Sequence, residues 1–332
     1  MSQRQLGKTG PKTFPLGLGC MGMSPDLYGP SDRAEAIATL RMALDAEMTL
    51  LDTGDFYGMG HNELLLREAL TNVPRDQVQI SVKFGALRGP DGAWLGFDGR
   101  PAAVKNFIAY SLKRLGTDYI DIYRPARLDP NVPIEDTVGA VADLIKAGYV
   151  RHIGLSEVGA DTIRRAAAVH PIADLQIEYS LVTRTIEDKI LPTCRELSIG
   201  ITAYGVLSRG LISGHWNKTT GFGKGDFRSV SPRFQDANID QNLALVEALR
   251  KIATEKQVTV AQIAIAWVLA RDPLIVPLIG ARKRERLSEA LGALEFSLTP
   301  SDLAAIEQAV PHGAVAGERY PAHAMASLDS ER

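Results

Sequence analysis

Residues 118–156 read DYIDIYRPARLDPNVPIEDTVGAVADLIKAGYVRHIGLS, and this stretch decides the fold class. It opens on an alternating apolar run at 119–123 and passes through 133–147, where apolar residues recur at helical spacing. It then returns to a second short apolar run at 153–155. Pro133 suits the first turn of the helix, where no backbone donor is needed. Strand, amphipathic helix and strand in succession imply parallel strands joined by a helical crossover. The pattern repeats outward in both directions. Further strands are expected near 16–18 and at 50–52, 79–83, 175–177, 201–204 and 274–277. Further helices are expected at 31–46, with Ser31 as N-cap, and at 62–70, 101–115, 160–169 and 186–197. Roughly eight such units favour a single closed (β/α)8 TIM barrel over an open doubly wound sheet, one domain spanning all 332 residues.

Two segments break the alternation. Residues 208–238 are rich in Gly, Ser, Thr and Arg and read as a long loop after the seventh strand. Residues 311–332 follow the last helix as a tail without regular period. Loops this long are usually functional or disordered, and a loop that leaves a barrel strand lies on the catalytic face.

Composition excludes several classes of function. The 37 basic and 39 acidic side chains leave a formal net charge of −2, with no long-range attraction to nucleic acid or an anionic membrane. The two cysteines, Cys20 and Cys194, make neither a disulfide framework nor a metal-ligand spacing. The six histidines show no ligand spacing, so no metal is expected. The polar first ten residues do not form a secretory signal. The longest apolar stretch, 258–270, contains Gln262 and is too short to span a bilayer. A cytoplasmic protein is expected.

Two motifs fail on context. Gly17-Leu18-Gly19-Cys20-Met21-Gly22 fits the dinucleotide fingerprint G-x-G-x-x-G, but Pro25, Gly29 and Pro30 keep a helix from starting inside the turn. Gly154-Leu155-Ser156-Glu157-Val158 is no nucleophile elbow, because Val158 stands where glycine is required.

The chemistry concentrates at two strand ends. Asp52-Thr53-Gly54-Asp55-Phe56-Tyr57-Gly58 follows the second strand, and Lys83 closes the third. A lysine inside a mostly apolar barrel needs a partner, and Asp52 is the natural one. A free tyrosine titrates near ~10, too high for an efficient proton donor. A nearby ammonium lowers that value, so Asp52, Tyr57 and Lys83 read as a tuned tyrosine acid. Each alone has an ordinary structural use, as turn residue, packing aromatic or strand terminus. Their placement on adjacent strands is what points to catalysis.

From Gly17 to about Val310 the chain resembles the aldo-keto reductases. The matching pieces are D-T-x-x-x-Y-G at 52–58, Lys83, D-Y-I-D-I-Y at 118–123 and G-L-S at 154–156. Q-x-E-Y at 176–179, A-Y-G-V-L-S-R-G at 203–210 and P-L-I-G-A-R at 277–282 complete the set. The resemblance implies that Tyr57 donates the proton, Lys83 tunes it and Asp52 holds Lys83, with hydride coming from a nicotinamide across the barrel mouth. It implies that Ser156 and Gln176 bind the carboxamide, with Glu157 beside them, and that Tyr204 stacks on the ring. Gly205, Val206, Leu207 and Arg209 line the pyrophosphate. Gly280, Arg282 and Arg286 grip the 2′-phosphate, and Glu289 and Ala290 lie at the adenine end. Arg282, Lys283, Arg284 and Arg286 opening a helix also make a good dianion site on physical grounds. NADPH is therefore expected, with NADH a weaker second choice.

Three positions depart from the family pattern. Ala126 stands where a catalytic histidine is usual, and a water, Arg124 or Arg127 is expected to fill part of the gap. Glu157 replaces an asparagine, as does Ala290. The resemblance implies reduction of an aldehyde or ketone, a small-molecule carbonyl substrate that is bulky or ring-containing given the loop and tail aromatics Trp216, Phe222, Phe227, Phe234 and Tyr320. Loop and tail are expected to fold over the barrel mouth. A second reading is a cofactor-binding regulatory subunit, like the potassium-channel β subunits that share this fold and also lack the histidine.

Overall fold

The computed structural model describes residues 3–25, 28–223 and 225–332. Eight parallel strands close into a barrel: β1 (Gly17–Gly19), β2 (Leu50–Gly54), β3 (Gln79–Phe84), β4 (Ile120–Pro125), β5 (Val150–Ser156), β6 (Ile172–Glu178), β7 (Gly200–Tyr204) and β8 (Ile275–Gly280). Neighbours pair in chain order and β8 closes on β1, with Leu278 opposite Gly17. The expected strands all form, most of them a few residues longer than their apolar cores.

Helices α1 (Arg33–Asp45), α2 (His61–Ala69), α3 (Pro101–Leu115), α4 (Ile134–Lys146), α5 (Ala160–Val169) and α6 (Ile190–Leu197) fill the successive crossovers. Between β7 and β8 run α7 (Asp236–Glu255) and α8 (Val260–Arg271), and α9 (Arg284–Leu291), α10 (Pro300–Ala309) and α11 (Ala322–Met325) follow β8. The cap of α1 is Asp32, whose carboxylate accepts from the Glu35 amide at 2.9 Å, and not Ser31. Helix α6 starts later than the expected 186, which leaves Pro192 in its first turn, where its missing N–H breaks no helical bond. Helix α8 is apolar on nearly every face and eight of its residues are buried, so it lacks the one-sided stripe that marks a helix in sequence.

Two short hairpins were not anticipated. One, of Arg4–Gln5 and Lys12–Thr13, sits beneath the barrel, where the Lys8 amide donates to the Ser198 carbonyl at 2.8 Å. From it Leu6 joins Leu50, Ile122, Val276 and Leu278 in an apolar plug inside the barrel. The other, of Ala86–Arg88 and Trp94–Phe97, extends from the end of β3. The main core lies between the strands and the helical ring. Among the described residues no helix is long and apolar enough to cross a membrane, and no group of three or more His, Cys, Asp or Glu could hold a metal ion.

Candidate active site

Inward positions of a barrel strand recur every second residue, and above the apolar plug they turn polar. Ser81, Arg124, Asp174 and Thr202 form one layer. The fully buried Arg124 guanidinium donates to Thr202 Oγ1 at 3.1 Å and Ser81 Oγ at 2.9 Å, and pairs with Asp174 Oδ2 at 3.0 Å. Arg124 therefore lies under the site and does not fill the place beside Ala126.

Asp52, Lys83 and Gln176 meet directly above. Lys83 Nζ donates to Asp52 Oδ1 and, at 2.8 Å, to Gln176 Oε1. Gln176 Nε2 and Ser81 Oγ each donate to Asp52 Oδ2 at 2.8 Å. Asp52 and Lys83 are 4% and 5% exposed, so the pair survives only because every charge is answered within it. The expected Asp52–Lys83 partnership is present. Gln176, expected on the nicotinamide carboxamide, spends both ends of its amide on this network instead.

Tyr57 opens a short 3-10 turn after β2, in which Gly58 takes φ +56°. A Cβ at that position would come within 3.0 Å of His61 Cβ and 3.1 Å of Ser24 Cβ, so only glycine fits. Asn62 braces the turn, accepting from Thr53 Oγ1 at 2.7 Å and donating to the Cys20 carbonyl at 2.9 Å. Lys83 Nζ lies 5.2 Å from the Tyr57 ring centroid, and among the described residues the phenol has no hydrogen-bond partner. Here the structure corrects the electrostatic expectation. Burial, and then Asp52, push the phenol well above its ordinary pKa, and the cation acting against them is Arg127. Burial also lowers Lys83 from the usual ammonium range, with Asp52 opposing. Phe56 packs edge-on against both Tyr57 and Trp94, with centroids 4.8 and 5.7 Å apart. The hairpin after β3 thus brings an aromatic to the site that sequence spacing could not place.

The remaining expected residues divide into two groups. Ser156 ends β5, buried, with its hydroxyl 3.4 Å from Arg127 Nη1. Glu157, expected beside the coenzyme, is committed to the tail. Arg319, 3% exposed, forks onto its carboxylate at 2.9 and 2.6 Å. Ser330 Oγ adds a bond at 2.7 Å, and the Tyr204 hydroxyl donates to Glu157 Oε1 at 2.6 Å. Tyr204 also lies 3.0 Å from the Tyr320 hydroxyl, so the tail does cross the mouth. Gly205 takes φ +67°, and a Cβ there would approach Glu178 Cγ to 2.9 Å. Beyond the buried Val206 and the half-buried Leu207, Arg209 pairs with Glu178 at 3.2 Å and lies 4.4 Å from the Tyr320 ring centroid.

The second group lies past β8. Arg282 donates to the backbone carbonyls of Tyr28 and Pro30 at 3.2 and 3.3 Å. Arg286 contacts Glu289 at 3.2 Å and His215 at 2.7 Å, and His215 lies 2.8 Å from Glu289. His215 was not foreseen, because only the fold brings the β7 loop against α9. Ala290 is 2% exposed and packed in the main core. Of the loop aromatics, Trp216, Phe222 and Phe234 pack on one another with centroids 5.4–5.7 Å apart, so they pin the loop. Phe227 instead reaches Tyr28, at 5.4 Å.

One carboxyl beside Tyr57 carries a stability consequence. Asp55 is 8% exposed and its Oδ1 has no partner. Burial and then Glu63 push its pKa up to about 8, against Arg114. Unfolded, an aspartate titrates near ~3.9. Between these values the folded chain holds a proton that the unfolded chain has lost, so stability falls as pH rises through that window. Asp55→Asn mimics the protonated form. Calorimetry should show the variant melting about 10–20 °C above the parent at pH 8.5 (roughly four pKa units at about 1.4 kcal/mol each, and about 2–4 °C per kcal/mol in large domains), with the gap shrinking toward pH 5. An equal gap at both values refutes the assignment.

The sequence matches the aldo/keto reductase family over residues 15–311. A probable aldo-keto reductase 1 from Glycine max is 43% identical over 318 residues, covering 95% of this chain and 91% of that protein. Among solved structures, a glycerol dehydrogenase from Gluconobacter oxydans superposes with a TM-score of 0.85 at 29% identity, over 92% of this chain and 94% of its own. An aldo-keto reductase from Bacillus halodurans, in its holo form, gives 0.78 at 25% identity over 96% and 98%. With strand ends that carry a buried Asp52–Lys83 pair beside a phenol, and relatives of this kind along nearly its whole length, the chain belongs to the aldo/keto reductase family.

Proposed function

We propose that this oxidoreductase, acting as one barrel domain, reduces an aldehyde or ketone to an alcohol with NADPH, and that Tyr57 delivers the proton. The observation that carries the reading is the buried Asp52–Lys83–Gln176 network packed against the Tyr57 phenol, whose hydroxyl bonds to no described residue. The phenol is protonated at neutral pH, as a donor must be, and burial makes it a weaker acid that needs help to give up its proton. Lys83 supplies positive charge next to the phenolate that proton transfer leaves, and Asp52 keeps the ammonium in place.

The donor set suits the phosphate end of the coenzyme. Arg209 Nη1 is buried without a partner. At Gly280 a Cβ would meet nothing within 4 Å, so the backbone stands open to a ligand. Among the described residues Arg282 bonds only to backbone carbonyls. A bound dihydronicotinamide would supply the hydride. Ser156 has a hydroxyl to offer the carboxamide, whereas Gln176 must give up part of its network to do the same. Phe56, Trp94 and Tyr320 around the phenol favour a ring-containing carbonyl compound.

The test is spectrophotometric oxidation of NADPH with a panel of aromatic and aliphatic aldehydes and ketones. Tight NADPH binding without turnover of any of them would favour the regulatory-subunit reading, to which Ala126 lends support. Arg282→Ala and Arg286→Ala should each weaken NADPH about 10- to 100-fold, the worth of one charge-assisted contact, and leave NADH nearly unchanged. Isothermal titration measures both, and equal weakening of the two coenzymes removes the 2′-phosphate assignment.

A further inference from the structure

A carbonyl oxygen that is gaining charge needs a donor besides the acid that finally protonates it, and Ala126 offers no side-chain donor. Its neighbour does. Lys83, Arg124, Arg209, Arg233 and Arg319 each pair with a carboxylate, but no described carboxylate lies within ion-pair distance of Arg127. Only Nη1 of its guanidinium is engaged, by the Ala126 carbonyl at 2.6 Å and Ser156 Oγ at 3.4 Å. The Nε and Nη2 hydrogens make no bond to a described residue. The group is half-buried, two residues beyond the end of β4, and its charge acts on Tyr57, Lys83 and Glu157 together. It stays charged: burial acts to lower its pKa, but the balance of its neighbours, the Glu157 carboxylate among them, raises it, and a guanidinium is protonated at every working pH.

We infer that Arg127 is a further catalytic residue, whose free N–H groups hold the substrate's carbonyl oxygen beside the Tyr57 phenol. This deepens the carbonyl-reductase reading and rests on it. As hydride from a dihydronicotinamide bonds to the carbonyl carbon, the π electron pair moves onto oxygen. That oxygen takes the proton from Tyr57 as the phenol O–H bond breaks, and the phenolate is reprotonated from water. Arg127 transfers no proton. It lends hydrogen bonds that strengthen as the oxygen becomes negative, and its charge opposes the two influences that make the phenol a poor acid. A guanidinium keeps its proton at every working pH, so Arg127 should put no acid limb of its own on kcat.

The experiment compares the unmodified protein with Arg127→Met, Arg127→Lys and Arg127→Ala, the last with and without added guanidinium chloride. The substrates are NADPH and 4-nitrobenzaldehyde, NADPH affinity is measured by fluorescence quenching, and thermal melts report folding. Arg127→Met should lower kcat about 10²- to 10³-fold, as loss of one oxyanion donor does, while NADPH affinity changes little. Arg127→Lys should recover part of the rate, and so should guanidinium added to Arg127→Ala. An unchanged kcat overturns the inference. So does a loss that tracks NADPH affinity or melting temperature and is rescued by neither lysine nor guanidinium, since that marks Arg127 as a prop for Ser156. Absence of turnover in the unmodified protein overturns the reductase reading itself, a result separate from any variant.

Discussion

Tyr57→Phe should lower kcat for carbonyl reduction about 10²- to 10⁴-fold, the range for loss of a positioned proton donor, with coenzyme affinity and melting temperature almost unchanged. The reason for the second half is structural. The phenol is buried, yet its hydroxyl bonds to no described residue, so deleting it breaks nothing that holds the fold. Lys83→Met is the informative contrast. It removes the charge next to the phenolate and strands Asp52, with Gln176 and Ser81 still aimed at it. Breaking a buried pair from one side typically costs about 3–5 kcal/mol, so this variant should lose rate and stability together. Steady-state kinetics and chemical denaturation on the two variants separate the roles. If Tyr57→Phe keeps near-normal turnover, the proton comes from elsewhere and the site assignment falls.

Arg319→Ala should release the C-terminal tail. Arg319 is the only tail side chain that reaches the strand ends as an ion pair among the described residues, touching Glu157, Glu178 and Glu331. Its removal leaves the fully buried Glu157 with a charge and no cation paired to it, again at about 3–5 kcal/mol. That strain is relieved most cheaply by local opening. Hydrogen exchange should then accelerate at the Gly159 and Ser330 amides, which bond to Asp329 and to the Glu157 carbonyl, while barrel amides keep their protection. The pH dependence follows from Glu157. Although burial pushes its carboxyl up, Arg319 and then Arg127 hold it well below the ordinary range. A depressed carboxyl stabilises the folded state above its unfolded pKa, and that stability is lost as pH falls toward the native value. Tail docking should therefore weaken in acid for the parent, and Arg319→Ala should show less of that dependence. Unchanged exchange at Gly159 would mean that the tail is held mainly by Asn242, which brackets Ala316 with bonds at 2.8 and 2.9 Å.

These two regions mark how far the sequence could be read. The parallel barrel was legible at 118–156 and its repeats, because strand and helix periods are local and eight crossovers leave few alternatives. Asp52 with Lys83 was legible because a buried ammonium demands a nearby acid, and adjacent parallel strands present both at one level. The place of the loop followed from the same topology, and that of the tail only from the family resemblance. Only the tertiary structure decided the rest. Gln176 turned toward Lys83 across 93 residues of chain, and Arg319 reached Glu157 across 162. Arg124 was matched to Asp174 under the site, and Ala290 was turned into the core. The direction of the Tyr57 shift belongs to this second class. Residue types name the charges that bear on a phenol, but burial, the largest influence here, is a property of everything packed around it.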